Sequence, residues 1–188
     1  MTTEAEQERK MKGKMTGAVL PGNSTVELRE FDIPTEDNQV FTTSQATANY
    51  IYNEKPDATL YAIGEDGILS ARKEKGFSFV EENPEYVVIG IDREISYEKY
   101  AKACLAVRGG AKFVSTNADI AIPTERGFLP GNGSLTSVIS VSTGVEPTFI
   151  GKPEKIIMEQ ALADLGVAKE ETIMVGDFYD TDIMAGMN

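Results

Sequence analysis

Tyr86-Val-Val-Ile-Gly-Ile91, then Ser96-Tyr-Glu-Lys-Tyr-Ala-Lys-Ala-Cys-Leu-Ala-Val107, then Lys112-Phe-Val-Ser-Thr116 is the stretch that decides the fold. The first run is apolar at successive positions and rich in β-branched residues, the mark of a strand buried on both faces. Ser96 precedes a run with apolar residues at helical spacing, and Gly109-Gly110 closes it. A second apolar run follows at once. Strand, helix, strand in so few residues predicts a parallel pair with a crossover helix.

The same alternation extends outward. Thr43 or Ser44 caps a predicted helix through Tyr52, Ala58–Ile63 reads as a strand, and Gly67–Lys75 as a helix stopped by Gly76. Residues 117–134 form a loop-rich stretch with two prolines and three glycines. Leu135–Thr143 returns to helix, Pro147–Ile150 is a strand, Pro153–Leu165 a helix, and Thr172–Val175 a further strand. Upstream, Thr16–Leu20 reads as a short strand, Pro21–Ser24 as a turn and Thr25–Phe31 as a short helix. The expectation is an α/β protein with a parallel-rich sheet covered by helices.

Composition narrows the chemistry. The 188 residues hold 18 Lys and Arg against 30 Asp and Glu, a net charge of −12. That balance argues against a basic nucleic-acid footprint. No apolar run has the length of a membrane span, and Met1–Lys14 has no apolar signal core, so a cytoplasmic protein is expected. The single cysteine, Cys104, sits in an amphipathic helical pattern and reads as a buried thiol. No histidine is present, which removes His-based triads and His-based zinc sites. Carboxylates, lysine, hydroxyls and a hard cation remain.

Three places carry such chemistry. In Val175-Gly-Asp-Phe-Tyr-Asp-Thr-Asp182, Asp177 directly follows a predicted strand, at the sheet edge where α/β proteins hold ligands. It is the candidate Mg²⁺ ligand, since Mg²⁺ takes one or two carboxylates plus water and phosphate oxygens. Asp182 is the candidate second ligand or anchor, although Asp180 and Asp182 also suit a helix cap. In Gly151-Lys-Pro-Glu154, Lys152 has a restricted backbone and a long reach, enough to neutralise a phosphoryl group or screen a carboxylate nucleophile. An ordinary surface lysine near a helix start is the plainer reading. In Ser115-Thr-Asn-Ala-Asp-Ile-Ala-Ile-Pro123, Asn117 and Asp119 enter a glycine- and proline-rich loop that is either a binding rim or a structured Ω-loop.

Together, FTTSQATANYIY, STNADIAIPTERGFLPGNGSL, FIGKPEKIIMEQAL and MVGDFYDTDIMAG resemble the type IIA branch of the haloacid dehalogenase-like (HAD) superfamily, which includes 4-nitrophenylphosphatase-like enzymes. The resemblance covers about residue 28 to 188. It implies a partial Rossmann-like HAD core, with an inserted C2-type α/β cap: residues 1–39 and 148–188 as core, 40–147 as cap. It implies Lys152 as the catalytic lysine, Asp177 and Asp182 as Mg²⁺-binding acids, and Asn117 and Asp119 as the substrate-facing cap loop. It also implies small phosphorylated metabolites as substrates, hydrolysed through an aspartyl-phosphate, and a homodimer formed through the cap.

Some residues depart from the pattern. The family's DxDGT motif has no counterpart, for Met1–Leu20 contains no aspartate. Pro21-Gly-Asn-Ser24 stands where the family has TNNS, so Asn23 and Ser24 are what remains of the phosphate-binding turn. Phe178 replaces the usual Asn. The alternative to a phosphatase is therefore a catalytically silent fragment or pseudoenzyme, acting as a phosphate-binding or cap-mediated dimerisation module, or an incomplete gene model.

Overall fold

The computed structural model describes residues 15–17, 29–30 and 32–188. Its main sheet has five strands in the order β4-β3-β5-β6-β9, all parallel. They are β3 (Thr59–Ile63), β4 (Ser78–Phe79), β5 (Tyr86–Ile89), β6 (Lys112–Ser115) and β9 (Thr148–Phe149). A separate parallel pair joins β1 (Met15–Gly17) to β2 (Val40–Thr42). An antiparallel hairpin is formed by β7 (Ala121–Thr124) and β8 (Gly127–Pro130). The helices described over their full length are α1 (Thr43–Glu54), α2 (Asp66–Lys75), α3 (Tyr97–Arg108), α4 (Asn132–Thr143), α5 (Lys155–Leu165) and the short α6 (Met184–Met187).

Strand alternation splits the core into two layers. Leu60, Tyr86, Val88 and Val114 pack on one face with Ala46, Ile51, Ile68, Ile150 and Ile157. Tyr61, Ile63, Val87, Ile89 and Phe113 pack on the other with Ala103, Cys104, Val107 and Ile139. All four residues of β5 are buried, so its unbroken apolar run reflects helices above and below. Cys104 is a buried free thiol. The described residues contain no helix long and apolar enough to cross a membrane.

Several boundaries differ from expectation. Thr42, not Thr43 or Ser44, caps α1: its hydroxyl accepts from Gln45 N, and the Gln45 side chain accepts from Thr42 N in return. The loop-rich stretch after Asn117 contains the β7–β8 hairpin, in which Gly127 takes φ 105°. Helix α4 begins at Asn132, three residues before Leu135. Thr172–Val175 is not a strand: no neighbour among the described residues hydrogen-bonds its backbone as a ladder, and Ile173 and Val175 are exposed. The apolar run Ile173-Met-Val175 is present, but a strand exists only through its partner. The segments read as the turn at Pro21–Ser24 and most of the helix at Thr25–Phe31 lie outside the described residues.

Candidate active site

The main sheet and β2 direct their carboxyl ends to one edge, where Thr42, Gly64, Gly90, Thr116 and Gly151 leave their strands. Gly90 lies close enough to Thr116 that an added Cβ would stand 3.3 Å from Thr116 Cγ2. Parallel strands leave this edge for the crossover loops, so chemistry collects there.

Ile150, fully buried, anchors the end of the β9 segment. The next residue, Gly151, donates its N–H to Thr116 O at 2.8 Å. A Cβ at Gly151 would lie 2.6 Å from Thr116 O, 3.0 Å from Asn117 Cβ and 3.1 Å from Thr43 Cγ2. Glycine is therefore required for three loops to meet at that point. Lys152 leaves this junction and donates from Nζ to Asp182 Oδ1 at 2.6 Å. A helix start disfavours a nearby cation through its dipole, and Asp182 supplies the compensating charge.

Asp182 sits in a π-helical turn, Tyr179–Ile183. Its second oxygen, Oδ2, accepts from Phe178 N at 3.2 Å. Gly176 lies under it, since a Cβ there would fall 2.2 Å from Asp182 Cβ. Burial pushes the Asp182 carboxyl upward, but the Lys152 hydrogen bond and charge, with the N–H groups of Phe178 and Asp177, outweigh it and hold it below the ordinary value of 3.8. A depressed carboxyl stabilises the fold above the ordinary aspartate range and loses that contribution as pH falls through its folded pKa. We expect Asp182→Asn to flatten the acid limb of a stability profile below about pH 4. Urea unfolding at a series of pH values checks this, and parallel acid limbs in parent and variant would rule it out.

Asp177 is exposed, and its carboxylate enters no hydrogen bond or ion pair among the described residues. No group of three or more His, Cys, Asp or Glu side chains gathers as a metal cage among the described residues. The donor set fits a mostly hydrated hard cation: one free carboxylate, Asp177, with the lysine-bound carboxylate of Asp182 behind it.

Asn117 and Asp119 meet. Asn117 Nδ2 donates to Asp119 Oδ2 at 2.6 Å, and Asn117 Oδ1 accepts from the Thr116 hydroxyl at 2.9 Å. The start of α4 lies beneath them: Gly131 N donates to Ile120 O at 3.0 Å and Gly133 N to Asp119 O at 2.8 Å. Sequence reasoning missed Asn132, which is 1% exposed and hydrogen-bonded to Ser115, Thr116 and Asn117. The available signal was an Asn between two glycines at a helix start. Asn23 and Ser24 lie outside the described residues. The structure therefore brings Lys152 to Asp182 and Asn117 to Asp119, and it holds the two pairs together through Gly151 and Thr116.

Comparison with known proteins gives consistent matches. The profile of the haloacid dehalogenase-like hydrolases matches residues 21–188. The chain is 65% identical over 161 residues to the 5'-nucleotidase YutF of Bacillus subtilis, covering 86% of this chain and 63% of the relative. It is 54% identical over 169 residues to the acid sugar phosphatase of Staphylococcus epidermidis, covering 89% and 65%. A single mutant of the thermostable NPPase from Geobacillus stearothermophilus superposes with a TM-score of 0.93 at 53% identity, covering 98% of this chain and 76% of that one. The chain spans slightly under two thirds of the length of these two curated relatives.

Proposed function

The chain belongs to the haloacid dehalogenase-like hydrolases, and from that premise we propose that it supplies the lysine, the metal-binding acid and the substrate rim of a Mg²⁺-dependent hydrolase of small phosphate monoesters. The observation that carries this reading is the 2.6 Å Lys152–Asp182 pair, set at the carboxyl edge of the sheet one residue beyond the Gly151 junction.

In this reading the segment 40–147 is the cap, and the flanking segments contribute the core. The chemistry is attack by a carboxylate on phosphorus, departure of the ester oxygen with a proton, and cleavage of the resulting aspartyl-phosphate by water. A bound Mg²⁺ would supply charge neutralisation for the phosphoryl oxygens. Asp177 would hold that ion. Lys152, oriented by Asp182, places a fixed positive charge against the transferring group. Asn117 and Asp119 face the rest of the ester. Residues 1–31 contain no aspartate, so turnover by this chain would require a carboxylate other than an aspartate of that segment as the nucleophile. The names of the relatives, a nucleotidase and an acid sugar phosphatase, support phosphorylated metabolites as the substrate class.

Hydrolysis of 4-nitrophenyl phosphate tests the proposal. The expected result is Mg²⁺-dependent turnover that Asp177→Asn lowers by about a hundredfold or more. Should the parent chain not turn over, Mg²⁺-dependent binding of inorganic phosphate, abolished by Asp177→Asn, is the expected remnant of the site. Turnover or binding indifferent to both Mg²⁺ and Asp177→Asn would overturn it.

A further inference from the structure

We propose that Asn132 is a positioning residue that sets the donor–acceptor polarity of the Asn117–Asp119 rim, an inference that rests on reading those two residues as substrate-facing. Its carboxamide nitrogen, Nδ2, donates to Ser115 Oγ at 2.9 Å, to Asn117 O at 2.9 Å and, more weakly, to Thr116 Oγ1 at 3.3 Å. Two N–H bonds are shared among three acceptors. The Ser115 hydroxyl is in turn 2.9 Å from that of Thr136, on the inner side of α4.

The direction of these bonds matters more than their number. Because Thr116 Oγ1 accepts from Asn132, its own proton is free to donate to Asn117 Oδ1 at 2.9 Å. That fixes Asn117 with its oxygen toward Thr116 and its nitrogen toward Asp119, where Nδ2 donates to Oδ2 at 2.6 Å. A relay therefore runs from a fully buried amide to an exposed rim. The rim presents an amide donor beside a carboxylate acceptor, a pair matched to a substrate hydroxyl, which both donates and accepts.

Asn132 also carries a cost. Its Oδ1 is buried and has no hydrogen-bond partner among the described residues. A residue serving only to fill space would not retain an orphaned acceptor. The nitrogen end is the end in use. Asn132 is held in place by its neighbours, for a Cβ at Gly131 or Gly133 would strike the 118–119 backbone at 2.2 Å.

Asn132→Asp keeps the shape and reverses the polarity. Facing a buried carboxylate, the Thr116 hydroxyl turns inward to donate, Asn117 loses its donor, and its amide is released from Asp119. Burial favours the protonated form of the introduced carboxyl, so acid returns a donor and restores the relay. Thr116→Val cuts the same relay one link later and leaves nothing to titrate.

The experiment is hydrogen exchange at the Asn117 side-chain NH₂, followed by nitrogen-edited NMR and compared with the parent at each pH. The expected result for Asn132→Asp is exchange accelerated by about tenfold or more near neutral pH, with the difference shrinking toward acid. Thr116→Val should show the acceleration without the recovery, and it decides the matter alone if Asn132→Asp does not fold. Unchanged exchange at Asn117, or acceleration shared equally by the β5 amides, overturns the inference. The rim reading is scored separately with Asn117→Ala: unaltered selectivity among phosphate esters there would sink that reading without touching the relay.

Discussion

Lys152→Met is expected to lower phosphate-ester turnover by about 10² to 10³ while keeping the side-chain stem in place. The charge it removes is the one that Asp182 orients at 2.6 Å. It should also destabilise the fold by about 2 kcal/mol, because Asp182, whose side chain is only 10% exposed, is left as a charge without its partner. The double variant Lys152→Met/Asp182→Asn separates the two effects. Removing the stranded carboxylate should return most of the stability and none of the turnover. Urea denaturation alongside 4-nitrophenyl phosphate kinetics reads both quantities. A single variant as stable and as active as the parent would reduce the pair to an incidental contact.

Gly133→Ala should destabilise the protein by about 2 to 3 kcal/mol, the second large effect. The added methyl would stand 2.2 Å from Ala118 O, 2.6 Å from Ala118 C and 3.0 Å from Asp119 O. All three are backbone atoms, so no side-chain rotation relieves the overlap. The loop or the helix start must move, and Asn117 and Asp119 move with it. Gly144→Ala is the control. That glycine has φ 73°, and a methyl added there would meet nothing within 4 Å, so only backbone strain of about 1 kcal/mol is expected. Thermal or urea unfolding of both variants decides it, and equal losses would show that the 131–133 contact is not tight.

What could be read from the chain alone follows the range of the interactions. Strand β5 was legible because burial on both faces leaves an uninterrupted apolar run, and α3 because Ser96 and Gly109 mark its ends locally. The hairpin was not legible, since Pro123 and Pro130 argue against strands and only their cross-strand partners overrule them. The opposite holds at Thr172–Val175, where a good local pattern meets no partner among the described residues. Lys152 and Asp182 each stood out by spacing, but they are 30 residues apart, and no local rule pairs them. Asn132 was hidden for a similar reason. Its role lies in which way three hydroxyl and amide protons point, and that depends on residues 15 to 17 positions upstream.

The π-helical turn at Tyr179–Ile183 bears on which changes of length the site can absorb. Both Asp182 N and Ile183 N donate to Phe178 O, at 2.8 and 3.3 Å, so one carbonyl serves a winding that is one residue wider than an α-turn. Loss of a single residue between Phe178 and Asp182 would let the segment close as ordinary helix and swing the acid by about 100° around the axis. Side chains such as Tyr179 and Asp180, both exposed, can vary freely in kind. The count of residues cannot, and at this turn a deletion is a more severe event than any substitution of the exposed positions.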